Sequence, residues 1–201
     1  MTVTKSIPYR STFLAQEAAD AWKYFQEAGY PDSKNENWRF SNPTPWLNLN
    51  GERISSDNDF EEGLSSYIIP NSIPIIITNE KLVVPQSIPE GIQVINIDAA
   101  SKGKMSKDSF MDVADYHTSS FVAENTALFQ NYIFIHIAED IKPEHPIHLI
   151  HLVKAESGCR LFPRIHVNVA KGAEIEIWKT EIGIDNIFHF INLVTEVVIC
   201  E

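Results

Sequence analysis

The apolar residues of this chain change their period near residue 130, and that change limits the fold more than any other feature. From Ser11 to Ala28, Leu14, Ala18, Trp22 and Phe25 recur at steps of four, four and three, which puts them on one face of an α-helix. Ser11 is placed to cap its start. Gly29 and Pro31 stop it, because glycine accepts the left-handed conformation after a helix and proline cannot continue one. After residue 130 the period is two. In Asn131 to Ile137, Ile133, Ile135 and Ile137 share one face while Tyr132, Phe134 and His136 share the other. Arg164 to Val169 alternates in the same way, and Ile175 and Ile177 alternate with Glu174 and Glu176 after a turn at Lys171 and Gly172. These read as strands with one face in a core. Ile187 to Cys200 is again β-branched and aromatic, so the expectation is an α+β chain: a helical or mixed segment over 1–130, then all-β structure over 131–201.

Between these regions Asn42 to Gly63 carries Pro43, Pro45 and Gly51 with Trp46, Leu47 and Leu49 as apolar anchors, and reads as irregular connection. Strand signals follow at Ile75 to Thr78, Lys81 to Val84 and Ile92 to Ile97, the first two joined by Asn79 and Glu80 as a hairpin. Lys107 to Tyr116 reads as a polar helix.

Sandwich, barrel and solenoid all use short alternating strands. Here Ile133 to Ile137 with Ile147 to Val153, and Ile165 to Val169 with Ile175 to Trp178, resemble two successive coils of one repeat, each burying faces that a single coil cannot bury alone. The chain ends at Glu201 directly after Val197, Val198 and Ile199, with no turn, cap or polar tail. That is the expectation for a fragment cut at the open edge of a longer solenoid.

With 27 acidic against 16 basic residues, the formal charge is -11, which repels a phosphate backbone. Nucleic acid and anionic membrane are therefore excluded as partners. The first residues carry no secretory signal, no later run approaches a membrane span, and the two cysteines lack a disulfide spacing, so the expected location is cytoplasmic.

His145, His148 and His151 are spaced by three, but Pro143 and Pro146 oppose a helix, and on a strand that step sends His148 and His151 to opposite faces. They read as surface or partly buried strand histidines rather than metal ligands. Cys159 follows Gly158 in a turn and Cys200 lies in a strand; either thiolate could hold sulfur or iron, yet neither has a second cysteine at ligand spacing, and their role stays open. Phosphate-binding glycine loops, nucleophile elbows and zinc-protease helices are absent from the sequence. Glu61, Glu62, Glu139 and Asp140 read as solvated loop charges. The reading is a non-enzymatic scaffold with no catalytic residue and no metal ligand. A carbohydrate-active solenoid enzyme using Glu174 and Glu176, or an interaction module, is the alternative.

Several segments resemble one family. Gly29-Tyr-Pro-Asp-Ser-Lys-Asn-Glu-Asn-Trp-Arg-Phe40 is similar to the G-x-P, K, E-x-W-[KR]-[YF] signature of SufD proteins, which separates them from their paralogue SufB. Asn125-Thr-Ala-Leu-Phe129 resembles their L-N-x-A-F motif, with Glu124 in place of leucine. Pro146-Ile147, Pro163-Arg164, Lys171-Gly-Ala-Glu174 and Asn192 to Val198 resemble the corners and a strand of the first coils. The resemblance implies an N-terminal fragment of a SufD-like protein whose later residues form a right-handed parallel β-helix. It implies a scaffold subunit of the SUF complex, with SufB-like and SufC-like (ATPase) subunits as partners through a missing C-terminal half. The iron–sulfur cluster is then the product of the complex rather than a cofactor held by these residues, and flavin binding is not decided.

Overall fold

A computed structural model describes residues 14–41, 43, 64–78, 82–96, 111, 113–129, 131–153, 158–183 and 188–201. The fold is α+β, with two α-helices and mixed sheets and no closed barrel among these residues.

Helix α1 spans Ala15–Ala28 and buries Ala18 and Ala21, with Leu14 buried just before it. The expected face is therefore the packed one, displaced toward its smaller residues. Gly29, at φ 64, ends the helix by donating its N–H to the Phe25 carbonyl at 2.8 Å. Leu14 occupies the N-cap position without a side-chain bond, and Ser11 lies outside the described residues. So does most of the expected connection from Asn42 to Gly63, of which Pro43 alone is described.

Helix α2, Ser120–Leu128, was not expected. Its start is capped by the Ser119 hydroxyl, which accepts the Phe121 N–H at 3.3 Å. Ala123, Glu124, Asn125, Thr126 and Ala127 are all buried, so the helix has no polar stripe to set against an apolar one and leaves no 3.6-residue period to read. The helix expected from Lys107 to Tyr116 is not present where it can be seen. Residues 107–110 and 112 are outside the described set, and around Asp115 the chain turns, the His117 N–H donating to the Asp115 carboxylate at 2.9 Å and the Thr118 N–H to its carbonyl at 3.1 Å.

The described residues form ten strands, numbered in chain order: β1 Ile73–Ile77, β2 Leu82–Val83, β3 Ile92–Asn96, β4 Asn131–Ile137, β5 Ile147–Val153, β6 Arg160–Leu161, β7 Pro163–Val169, β8 Ile177–Gly183, β9 Phe190–Ile191 and β10 Val194–Ile199. β1 and β2 pair antiparallel as expected, Ile77 beside Leu82, while the joining Asn79 and Glu80 lie outside the described residues. Strand β8 starts later than the sequence suggested, because Ile175 belongs to a corner in which the Glu174 N–H donates to the Ile141 carbonyl at 3.0 Å. No α-helix occurs after α2 among the described residues.

Two four-stranded sheets, ordered β2-β1-β5-β8 and β10-β7-β4-β3, and the pair β6-β9 make up the β structure. The two antiparallel contacts are β1 with β2 and β3 with β4; the other pairings are parallel. From β7 onward each strand lies parallel beside one about 30 residues earlier in the chain, as in Ile133 beside Ile165, Ile147 beside Ile177, Arg160 beside Phe190 and Arg164 beside Val194. The facing sheets enclose one aliphatic core, with Ile73, Ile75 and Ile77 opposed to Ile133, Ile135, Ile137, Ile165, Val167 and Val169. Burying these side chains contributes about 1.5–3 kcal/mol each. β4, β5 and β7 are buried on both faces, which corrects the one-face expectation: Leu14 and Phe129 pack on Tyr132 and Phe134, covering the second face of β4.

The corners stack as well. Asp140 (φ 59) and Gly172 (φ 69) are both left-handed, and the Asp140 N–H donates to the Lys171 carbonyl at 3.0 Å. A Cβ on Gly172 would be held in that conformation while pressed into the Asp140 carboxylate. Gly172→Ala is therefore expected to lower stability by about 1–2 kcal/mol, the cost of a left-handed non-glycine residue, read as a shift in a urea unfolding midpoint at unchanged slope.

Candidate functional site

Where α2 lies across the stacked strands, polar side chains that the sequence scatters from Tyr30 to Glu196 meet in one place. The innermost is Arg164 on β7, fully buried with Glu196 on β10. Its Nε donates to Glu196 Oε1 at 3.0 Å and Nη2 reaches the same oxygen; Nη1 donates to Thr126 Oγ1 at 2.8 Å and Asn125 Oδ1 at 3.2 Å. The other Glu196 oxygen accepts the Val113 N–H at 3.3 Å and stands 3.7 Å from His166 Nδ1. The Tyr132 hydroxyl accepts the Met111 N–H at 3.2 Å and lies 3.5 Å from His166. Burial first, and the Glu196 charge second, push the Tyr132 hydroxyl well above the usual phenol range, so it stays a neutral hydrogen-bonding group.

Asn125 ties two distant segments together. Its Nδ2 donates to the carbonyls of Pro163 at 2.9 Å, at the start of β7, and Asn192 at 2.7 Å, between β9 and β10. Asn192 answers by donating to the Phe121 carbonyl at 2.8 Å. An ordinary helix interior disfavours a buried asparagine. Here each polar atom has a partner, as burial requires.

Next to this lies a second cluster, in which Glu124 is buried and Tyr30 and Arg160 are half-buried. The Glu124 carboxylate on α2 accepts from the Tyr30 hydroxyl and from Arg160 of β6. Arg160 also faces the rings of Phe190, Phe162 and Tyr30 at 5.0, 5.5 and 5.7 Å. Burial holds the Glu124 carboxyl above its ordinary value, although Arg160 and Tyr30 oppose that shift. Tyr30 and Trp38 both pack on Phe121, with ring centroids 5.6 and 4.9 Å away. The segment from Gly29 to Phe40 is thus an aromatic clasp onto α2, while Asn125, Arg164 and Asn192 to Val198 furnish the junction beneath it. These are segments that the resemblance picked out, and the structure brings them to one site.

The other candidates lie elsewhere. His145 is exposed, whereas His148 and His151 are buried, which corrects their reading as surface or partly buried residues. His148 Nε2 pairs with Thr180 Oγ1 at 2.8 Å, and burial keeps its imidazole below the ordinary value. His151 stands 3.9 Å from Glu181, which also binds Lys179. His151 gives the largest pull on the Glu181 carboxyl, burial opposes it, and Lys179 adds to it, taking the group from 4.5 down to about 2. Glu181 therefore stabilises the fold above its ordinary titration range, and the contribution fades as pH falls from there toward 2. Glu181→Gln is expected to cost under ~1 kcal/mol at neutral pH, since the carboxylate is partly solvated, and nothing at the acid end of a pH series of urea titrations.

Glu174 pairs with Lys142, and Glu176 accepts the Trp178 indole N–H at 2.6 Å. The two do not converge. Glu139 and Asp140 are exposed at a corner, and Glu61 and Glu62 lie outside the described residues. Cys159 is buried just before β6 rather than in an open turn, and Cys200 is exposed just past β10. Cys159 Sγ lies 3.0 Å from His189 Nδ1. Among the described residues no group of three or more His, Cys, Asp or Glu could hold a metal ion, and no helix is long and apolar enough to cross a membrane.

Sequence reasoning missed Tyr30, Glu124, Arg160 and His189 as partners. The signal available was distance along the chain: Arg164 to Glu196 and His136 to Asn168 are each 32 residues apart, and Cys159 to His189 is 30.

The family model described as the SufBD protein N-terminal region matches residues 8–149, a span that holds the aromatic clasp and α2 and ends within β5. No curated protein matches the chain.

Proposed function

The chain belongs to the SufB/SufD family, and from that premise we propose that it acts as a SufD-type, non-catalytic scaffold subunit in SUF-dependent iron–sulfur cluster assembly. One observation carries the reading: the parallel ladders β4-β7-β10, β5-β8 and β6-β9, in which each strand rests on its counterpart from the repeat before. We read this stack as the start of a right-handed parallel β-helix over 131–201, joined to a preceding segment over 1–130 that supplies its helices and first strands. The Gly29 to Phe40 segment favours SufD over SufB, because its resemblance is to the SufD signature and its Tyr30 and Trp38 do structural work at the clasp.

A stacked β structure is stiff, since backbone bonds fix each layer to the next. In a complex driven by ATP, such a subunit passes a partner's movement along its length without bending. The partners in this reading are SufB-like and SufC-like subunits, met through parts of the protein other than the junction described above, in the cytoplasm, with the cluster as the product of the complex.

The test is co-purification. The intact gene product, tagged and co-expressed with SufB-like and SufC-like proteins from its own genome, is expected to recover both in fixed proportion. Recovery of the tagged protein free of both would overturn the proposal. Cleavage of a polysaccharide by the purified protein would favour the solenoid-enzyme alternative instead.

A further inference from the structure

One chemically active pair is used neither by the junction nor by the scaffold role. Cys159 and His189 sit one residue ahead of Arg160 and Phe190, which are register partners in the β6–β9 ladder. The Phe190 N–H donates to the Cys159 carbonyl at 2.8 Å, so the backbone fixes the two side chains as the rung before. Strand alternation sends Arg160 toward Glu124 on one side and leaves Cys159 on the other, packed with Val153, Leu161 and Ile191. There its sulfur meets His189 Nδ1 at 3.0 Å.

Apolar packing alone makes a thiol inert, and an imidazole at hydrogen-bond distance does the reverse by taking its proton. Cys159 is 1% exposed while His189 is only partly buried, so of the two residues His189 is the one that meets solvent. We infer that Cys159 and His189 form a thiol–imidazole pair that reacts with small hydroperoxides and is closed to bulky thiol reagents.

The step balances within the pair and the oxidant. The Cys159 proton passes to His189 Nδ1, and the thiolate attacks one peroxide oxygen. The O–O bond breaks, both its electrons leave with the departing oxygen, and that oxygen takes the proton back from His189. Cys159 becomes a sulfenic acid, oxidised by two electrons, and the hydroperoxide is reduced to water or an alcohol. The inference does not depend on the scaffold proposal.

Cys200, exposed past β10, is the internal comparison. The whole chain is treated with a limiting amount of hydrogen peroxide, and separately with Ellman's reagent, and each cysteine is followed by peptide mass spectrometry. Peroxide is expected to oxidise Cys159 before Cys200, and Ellman's reagent to label Cys200 before Cys159. His189→Gln is expected to slow Cys159 oxidation at least ~10-fold, the loss of a positioned base, with Cys200 unchanged. Faster peroxide oxidation of Cys200 in the unaltered protein would overturn the inference without any variant having to fold. So would an unchanged Cys159 rate in His189→Gln.

Discussion

Replacing Arg164 by methionine is expected to destabilise the protein by about 3–5 kcal/mol, the cost of leaving one member of a buried ion pair uncompensated. Arg164 and Glu196 are both fully buried, so neither water nor salt can replace the lost partner. The guanidinium also satisfies Thr126 and Asn125, whose oxygens would lose a donor. A second substitution separates charge from packing. Arg164→Met with Glu196→Met removes both ions, and for a buried pair that exchange is often neutral or stabilising. The double variant is therefore expected to recover most of the loss in urea titrations. An Arg164→Met variant with stability within ~0.5 kcal/mol of the original would mean that Glu196 is not buried as described.

Asn125→Ala is expected to cost several kcal/mol. Its amide donates to the Pro163 and Asn192 carbonyls in a buried setting, and each acceptor left unsatisfied costs about 1–3 kcal/mol. Its Oδ1 also accepts from Arg164, so the loss spreads into the ion pair. Because Asn125 and Arg164 share that bond, the two effects should not add. The double substitution Asn125→Ala with Arg164→Met is expected to lose less than the two separate losses together. A clean sum would show that the helix and the strands are held by independent contacts.

The strands were legible where their residues are β-branched and strictly alternating: β4 and β5 have the bounds that the pattern suggested, and β7 begins one residue earlier, at Pro163. Helix α1 was legible because only one of its faces is buried. Helix α2 was not, since burial on several sides erases the contrast between faces. The same physics hid the junction. Arg164, His166 and Glu196 occupy the alternate positions that normally face water, and they read as a polar outer face. Their burial depends on what is laid over that face: the backbone of Met111 and Val113 bonds to Tyr132 and Glu196, and α2 supplies Asn125 and Thr126. No local pattern encodes a contact made across such a separation. Polar residues at a common offset near 30 do, because parallel stacking places residue i beside its counterpart one repeat on.

The same stacking sets what the scaffold proposal demands of the protein in motion. If β4 to β10 move as one body, their amides must open together, at a free energy close to that of global unfolding. Hydrogen exchange of the intact gene product, bound to its SufB-like and SufC-like partners with and without ATP, measures this directly. The proposal predicts that β4, β5, β7 and α2 keep one common protection in both states, with changes confined to partner-facing segments. Local loss of protection within β4, β5 or β7 when ATP binds would show that the stack absorbs the movement rather than passing it on, and would contradict the account.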